Sequence, residues 1–453
     1  MPYAIVECIG PVYLDKTEAK LLKTQPLRTL RRKDQLSFCN TLNLNINFDT
    51  KEPTLMDDIH PITDPFGGGG EYLGSPSINY DRLTHSLQVF YLTRKNLEYN
   101  RISPEIAARI RVAALCHDLH HTAKSHTLEK DGKVTPEQRA EELILKTEIA
   151  DVLRDGGISP EKVLDIVLHR KKGYEWDIIN FDVGTDRMGY YMMDTKRYFD
   201  KFNREDCLNT LPRSISNVDE EACILLGFSL MDLEKEPQIL RALWNLLKGR
   251  SRLFALLYGS LYNRAGATLL RNAVQMGLEE GVITDIDLYK LYDIQLSSKL
   301  QQEGSKEIKF LMEKLETEKL PSVKLDVSLK KELPYITRLK ENREERLKIE
   351  QEIGENVYID INPLGGPPEG DTKVLANGRE IVLKDALKSK YSGFDIAEVR
   401  RAHEILVNNR LMIFGFDQDY LEKRAMKVLG LDENQLVDKL QRYELLTFLT
   451  SSV

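Results

Sequence analysis

Five of the chain's eight histidines, His85, His117, His120, His121 and His126, are crowded into one short stretch, and the stretch reads as helix. Between Ile102 and Leu119, the residues Ile106, Ile110, Ala113, Ala114 and Leu115 make a broad apolar stripe, so this helix is expected to be buried. It ends in His117-Asp118, which puts a carboxylate on the apolar side. A buried carboxylate is costly unless something neutralises it, and a divalent cation does so well. His85 lies on a second helix, Leu83 to Leu97, on a face with Val89 and Leu92; Asp186 opens a third. Two imidazoles and two carboxylates from three helices form a mixed nitrogen and oxygen donor set for Fe, Mn, Mg, Zn, Co or Ni. Taken singly each residue has a plainer reading. A lone histidine on an apolar face is usually a hydrogen-bonded core residue, and Asp186 alone would be an acidic helix start.

The rest of the chain narrows the class. With 453 residues, 42% hydrophobic and 30% charged, it can hold two or three domains or one large core, and wholesale disorder is excluded. The net charge of -7 argues against a dedicated duplex binder, while leaving room for a local basic pocket. No run approaches the roughly 18 apolar residues of a membrane span, and the start of the chain lacks a signal peptide's pattern. Cys8, Cys39, Cys116, Cys207 and Cys223 are scattered, without a C-x-x-C pair. That suits a reducing compartment and excludes a zinc ribbon, so a cytoplasmic location is expected.

Five segments are expected. Residues 1–37 carry an amphipathic stretch, Lys16 to Leu36, that packs on the core. Residues 38–80, rich in Asn, Asp, Pro and Gly, read as a loop or insertion; no Gly-Lys-Ser/Thr follows Gly67 to Gly70, so the run is not a P-loop. Residues 81–300 read as an all-helical core, with helix starts at Ser103-Pro104, Thr135-Pro-Glu-Gln138 and Ser159-Pro160. Residues 301–353 are dense in Lys and Glu and read as a solvated helical connector. Residues 354–453 read as a small α+β unit: Val357, Ile359 and Ile361 alternate, Asn377-Gly378 signals a hairpin, and Leu411 to Phe416 suits a strand. The fold class is therefore mainly α.

The order His, His-Asp, then a distant Asp resembles the HD phosphohydrolase superfamily. Tyr80-Asp-Arg-Leu-Thr-His-Ser-Leu87 resembles its Arg-Phe-x-His-Ser-Leu, and Cys116-His-Asp-Leu-His-His-Thr-Ala-Lys-Ser-His126 resembles its His-Asp-hydrophobic-Gly-His-x-x-x-Ser-His signature. Asp186-Arg-Met-Gly-Tyr-x-x-x-Asp194 resembles Asp-Arg-Met-Asp-Tyr-x-x-x-Asp. The likeness is closer to the dNTP triphosphohydrolase branch, which includes the human SAM- and HD-domain enzyme; no SAM domain is evident here. Leu30-Arg-Arg-Lys-Asp-Gln-Leu36 looks like that branch's Leu-Arg-x-x-x-Gln-Leu, and Lys248-Gly-Arg250 through Tyr258 looks like its later helix.

The resemblance implies roles. His85, His117, Asp118 and Asp186 would hold the cation. Arg82, Arg187, Arg250 and His121 would balance triphosphate charge, and His126 would protonate the departing 5′-oxygen. Gln35 and Leu36 would lie at the sugar, with Tyr190, Asp194 and Tyr258 around it. Helical spacing agrees independently, since Asp186, Tyr190 and Asp194 are i, i+4 and i+8, as are Arg250, Phe254 and Tyr258. Four positions depart from the family: His120 replaces Gly, Gly189 replaces Asp, Pro136-Glu137 replaces His-Glu, and Phe254 replaces His. These bear on substrate and rate more than on fold or metal. The leading expectation is a metal-dependent hydrolase that splits a dNTP into deoxynucleoside and triphosphate, working as a homo-oligomer with a nucleotide effector in view. Its rivals are an HD phosphohydrolase acting on nucleoside monophosphates or single-stranded nucleic acid, and a nucleotide sensor that has lost catalysis.

Overall fold

Helix starts are set locally, because the first amide groups of a helix have no partner within it and a side-chain oxygen can supply one. A computed structural model describes residues 3–6, 9–31, 33, 81–124, 127–128, 134–181, 183–198, 208, 210–219, 222–225, 237–361, 373–376, 379–385, 395–416 and 421–450. It begins with a hairpin, β1 (Tyr3–Val6) and β2 (Gly10–Tyr13), then α1 (Lys16–Leu21) and α2 (Gln25–Leu30). Next comes the helical core: α3 (Arg82–Tyr99), α4 (Pro104–Cys116), α5 (Pro136–Leu145), α6 (Glu148–Asp155), α7 (Pro160–Val167), α8 (Tyr174–Asn180) and α9 (Thr185–Tyr198). The expected starts hold. Ser103 precedes Pro104 at the head of α4, Thr135 and Gln138 form a reciprocal capping box on α5, and the Ser159 hydroxyl accepts the Lys162 amide on α7.

α3 is buried nearly all round, packing on α4 and α9, and α4 in turn packs on α7. Leu87, Val89, Phe90 and Leu92 of α3 meet Ile110, Ala113 and Leu115 of α4 in one large core. The long α10 (Pro237–Leu253) and α11 (Leu261–Glu279) follow, with a π-helical turn at Phe254–Tyr258 between them. The molecule is mainly α, as the patterning predicts.

The strands differ from expectation in where they pair. β3 (Ile215–Asp219) and β4 (Ala222–Leu225) lie within the stretch read as all-helical. Beyond α12 (Asp285–Lys290), α13 (Asp293–Glu303) and α14 (Lys306–Glu316), the charged connector contains β5 (Ser322–Ser328). It then continues as α15 (Pro334–Glu341) and α16 (Arg343–Ile353). The last stretch gives β6 (Val357–Asp360), β7 (Lys373–Ala376), β8 (Arg379–Val382), α17 (Ile396–His403), β9 (Arg410–Gly415), α18 (Leu421–Val428) and α19 (Lys439–Thr450).

β7 and β8 pair antiparallel, with Ala376 opposite Arg379 across Asn377-Gly378. They join β3 and β4 in the order β3-β4-β7-β8, while β5, β9 and β6 form a separate antiparallel sheet with β9 in the middle. The C-terminal strands thus serve two sheets, one of them shared with the helical core. β5 also moves the start of the α+β unit upstream of residue 354.

A buried, bidentate ion pair fastens this unit to the core. Arg264 on α11 donates from Nε and Nη2 to Asp360 on β6 at 2.6 and 2.7 Å. Removing one member leaves the other charged and dry, which costs about 3–5 kcal/mol, whereas removing both together is close to neutral. Asp360→Leu should therefore lower the urea-unfolding free energy by about that amount, and Asp360→Leu with Arg264→Met should recover most of the loss.

Candidate metal centre

Three helix ends converge. α3 supplies His85 from its first turns. α4 stops at Cys116, and His117 follows as its C-cap in helical conformation, turning Asp118 inward. Asp186 comes from the first turn of α9. His85 Nε2 lies 2.9 Å from Asp186 Oδ1 and 4.0 Å from Asp118 Oδ2. His117 Nε2 lies 3.3 Å from Asp118 Oδ1 and 3.6 Å from Asp186 Oδ1. One donor atom each from His85, His117 and Asp118 falls within a 4.8 Å cluster, all three residues buried. Asp186 is the partly open member, its side chain 28% exposed.

This donor set fits a divalent cation, and His117 carries the test. Its Nδ1–H donates to the Ala114 carbonyl at 2.9 Å, which directs Nε2 at the two carboxylates. That Nε2 is buried and makes no hydrogen bond among the described residues. Burial alone would push the His117 imidazole down, but Asp118 and Asp186 outweigh it and raise it to about 9. Burial likewise works to raise Asp118 and Asp186. For Asp118 the charges of His117, Arg82 and His121 hold the carboxyl well below the usual range; for Asp186 His117 and His85 do so.

A ring of further contacts fixes the loop after Asp118. Arg82 Nη1 donates to Asp118 Oδ2 at 2.8 Å, and His121 Nε2 sits 3.1 Å from Oδ1. His120 stacks on His121, with ring centroids 4.5 Å apart, so the imidazole at the family's glycine position packs within the loop. The carbonyl of His121 accepts from Lys33 Nζ at 2.8 Å and that of His120 from Arg139 Nε at 2.7 Å. The Lys124 amide donates to Asp293 Oδ1 at 2.8 Å. Sequence reasoning missed Lys33, Arg139 and Asp293. The available signal was a charged residue in a core-facing phase, as with Arg139 beside the buried Ala140 on α5.

Two turns along α9 from Asp186 is the fully buried Asp194, which accepts a hydrogen bond from the Tyr258 hydroxyl. Tyr190, on the same face, is half-buried. The close approach of α9 and α10 depends on Gly249, because a Cβ there would collide with the Tyr191 ring. Gly189 has a similar cause. A Cβ would stand 3.1 Å from Val89 Cγ2 and 3.3 Å from His85 Cε1, so any side chain here would press Val89 and the His85 ring outward by a few tenths of an ångström. Arg250 is buried on α10. Arg187 is braced against the end of α8, its Nη1 donating to the Asn180 carbonyl at 2.6 Å. Gln35, Leu36 and His126 lie outside the described residues.

Residues 82–211 match the HD domain family. Over 420 residues the chain is 25% identical to an uncharacterized protein of Methanocaldococcus jannaschii, covering 90% of this chain and 88% of that one. The crystal structure of a hypothetical protein from Aquifex aeolicus superposes with a TM-score of 0.64 at 19% identity, covering 94% of this chain and 99% of that chain, which shows a shared fold. The chain contains an HD domain, which supports a phosphohydrolase activity and a bound divalent metal. Among the described residues no helix is long and apolar enough to cross a membrane.

Two outcomes follow from the cluster. His117→Ala and Asp118→Ala should each lose stoichiometric Mn²⁺, read by elemental analysis, while circular dichroism stays near wild type; full metal retention by both would remove them from the site. The cation needs a neutral His117 Nε2, and in the metal-free protein that nitrogen is protonated below about 9. Binding therefore expels a proton, and Mn²⁺ affinity should climb about tenfold per pH unit between roughly 7 and 9, then level off. A flat calorimetric affinity across that window would contradict the linkage.

Proposed function

We propose that this protein is a metal-dependent deoxynucleoside triphosphate triphosphohydrolase, releasing deoxynucleoside and triphosphate. The observation that supports this reading is the Asp194–Tyr258 hydrogen bond, two turns from Asp186 on one helix. Eight residues of helix span about 12 Å, the scale of a nucleoside extending from a metal-held phosphate. A bound divalent cation would supply Lewis-acid polarisation at phosphorus and a more acidic water. The chain's own groups do the rest. Arg82 and His121 orient the Asp118 carboxylate, and Arg250 balances phosphate charge with a planar fork of donors. Asp194, oriented by Tyr258, accepts from a sugar hydroxyl, and the Tyr190 ring flanks the sugar. By family likeness Gln35 and Leu36 close the sugar pocket against a 2′-hydroxyl.

A second reading is favoured by Pro136. It occupies the first turn of α5 inside an intact capping box, where the family carries histidine, and proline can move no proton. On that reading the chain binds dNTPs through the same site as a sensor.

Incubating the protein with each dNTP and with ATP under Mg²⁺, Mn²⁺, Fe²⁺, Co²⁺ or Ni²⁺, then separating products by anion exchange, tests both. Triphosphate plus deoxynucleoside, with dATP well ahead of ATP, is the expected result; diphosphate or monophosphate products, or equal use of ATP, would sink the triphosphohydrolase. Tight dNTP binding without turnover under every metal would select the sensor. In an active preparation Asp194→Asn should lower kcat/KM by about tenfold to a hundredfold, the loss of one charged hydrogen bond, with Mn²⁺ content unchanged.

A further inference from the structure

Both oxygens of the Asp118 carboxylate are held by groups that lead back to one residue of the N-terminal segment. Arg82 grips Oδ2 and His121 stands at Oδ1. The amide of Arg82 donates to the Lys33 carbonyl at 3.0 Å, which fixes where α3 begins. The carbonyl of His121 accepts from Lys33 Nζ at 2.8 Å, and the same ammonium reaches the Tyr289 carbonyl at the end of α12 at 2.9 Å. Lys33 is 2% exposed. Its burial pulls the amine down to about 7, with Asp293 acting against that pull.

A buried lysine is an expensive way to satisfy two backbone carbonyls, since a leucine with rearranged backbone would avoid desolvating an amine. What the lysine does, and an apolar residue cannot, is tie three chain segments together by directional bonds. Those segments are the chain at Lys33, the loop after Asp118, and α12. Outer contacts of this kind set the orientation of metal-binding groups, and their removal typically lowers metal affinity or activity by about 10- to 100-fold.

We propose that Lys33 is a positioning residue for the metal centre, clasping Arg82 by its backbone and His121 by its side chain so that Asp118 is presented to the cation in one orientation. This inference rests on the metal centre and is indifferent to the choice of substrate.

The test is Mn²⁺ affinity by calorimetry on the full-length protein, for the wild type, Lys33→Met, Lys33→Gln, Leu30→Ala and His117→Ala. Lys33→Met keeps the length and volume of the side chain without its donors and should weaken Mn²⁺ about tenfold or more. Lys33→Gln, still able to donate, should fall between it and the wild type. Leu30→Ala, a core truncation on the same segment, should lower Tm yet keep wild-type affinity, which separates positioning from mere stability. Wild-type affinity within twofold in both Lys33 variants, or an equal loss in Leu30→Ala, would overturn the inference. If Lys33→Met does not fold, the Lys33→Gln comparison decides alone. Undiminished binding by His117→Ala would overturn the metal centre itself, and the role of Lys33 there with it.

Discussion

Two carboxylates in a helical core, the buried Asp118 and the partly open Asp186, set the demand that the surrounding structure answers. An isolated carboxylate at such a depth would take up a proton rather than stay ionised. Here each is ringed by positive or polarisable groups, and both are held well below the usual range. Counting charges explains why a cation belongs. With neutral imidazoles, two carboxylates and the Arg82 guanidinium leave one net negative charge in the buried cluster. A divalent cation turns that into one net positive charge, which then favours an anionic phosphate. The same two carboxylates, acting against the burial of the ring, raise the His117 imidazole to about 9.

Bringing four side chains from three helices to one point requires backbones that approach closely, and small residues provide this. Ala113 and Ala114 let α4 lie deep in the core, and Ala114 offers its carbonyl to His117. Gly189 lets α9 rest against the His85 ring, and Gly249 does the same for α10 against Tyr191. The two glycines therefore fix where Asp186 and Asp194 stand relative to α3 and Tyr258.

How much of this was legible depended on range along the chain. Helix starts at Ser103, Thr135 and Ser159 are local, written in three or four residues, and the structure has them where the sequence puts them. His85, His117 and Asp118 were readable as a cluster because apolar periodicity and chemistry agreed at each position. β5 was not seen, although Val323, Leu325 and Val327 alternate with Lys324 and Asp326, because the dense charge around it reads as solvated helix. Its partner β9 is some eighty residues away, and no local signal carries such a pairing. The pairing of β4 with β7, across an even longer stretch, was hidden for the same reason. Lys33 and Arg139 escaped notice because a basic residue in an amphipathic stretch is ordinarily solvated, and only the fold reveals that these two face carbonyls in the interior.

The C-terminal unit reaches the hydrogen-bond partner of Asp194 through the π-helical turn at Phe254–Tyr258, an irregularity rare in helices. Arg410 of β9 donates from Nη1 to the Gly259 carbonyl that closes the turn, at 2.6 Å, and is itself gripped by Asp326 through Nε and Nη2. Arg442 adds a second cation on Asp326. Burial would raise that carboxyl, but the two guanidiniums bring it down to about 2. Its contribution is present above the ordinary carboxylate range and is lost only as pH falls toward about 2, so the brace stays intact throughout the neutral range. The second support is His403, whose ring lies 5.4 Å from that of Phe254 and whose Nδ1 meets Ser251 Oγ at 3.2 Å. Phe254 in turn meets Tyr258 edge-on at 4.9 Å. Phe254 is thus part of an aromatic stack running from the C-terminal unit to the partner of Asp194. A histidine at 254 would exchange that packing for a polar ring among buried side chains. The Phe254 ring is a wall that holds Tyr258 in place.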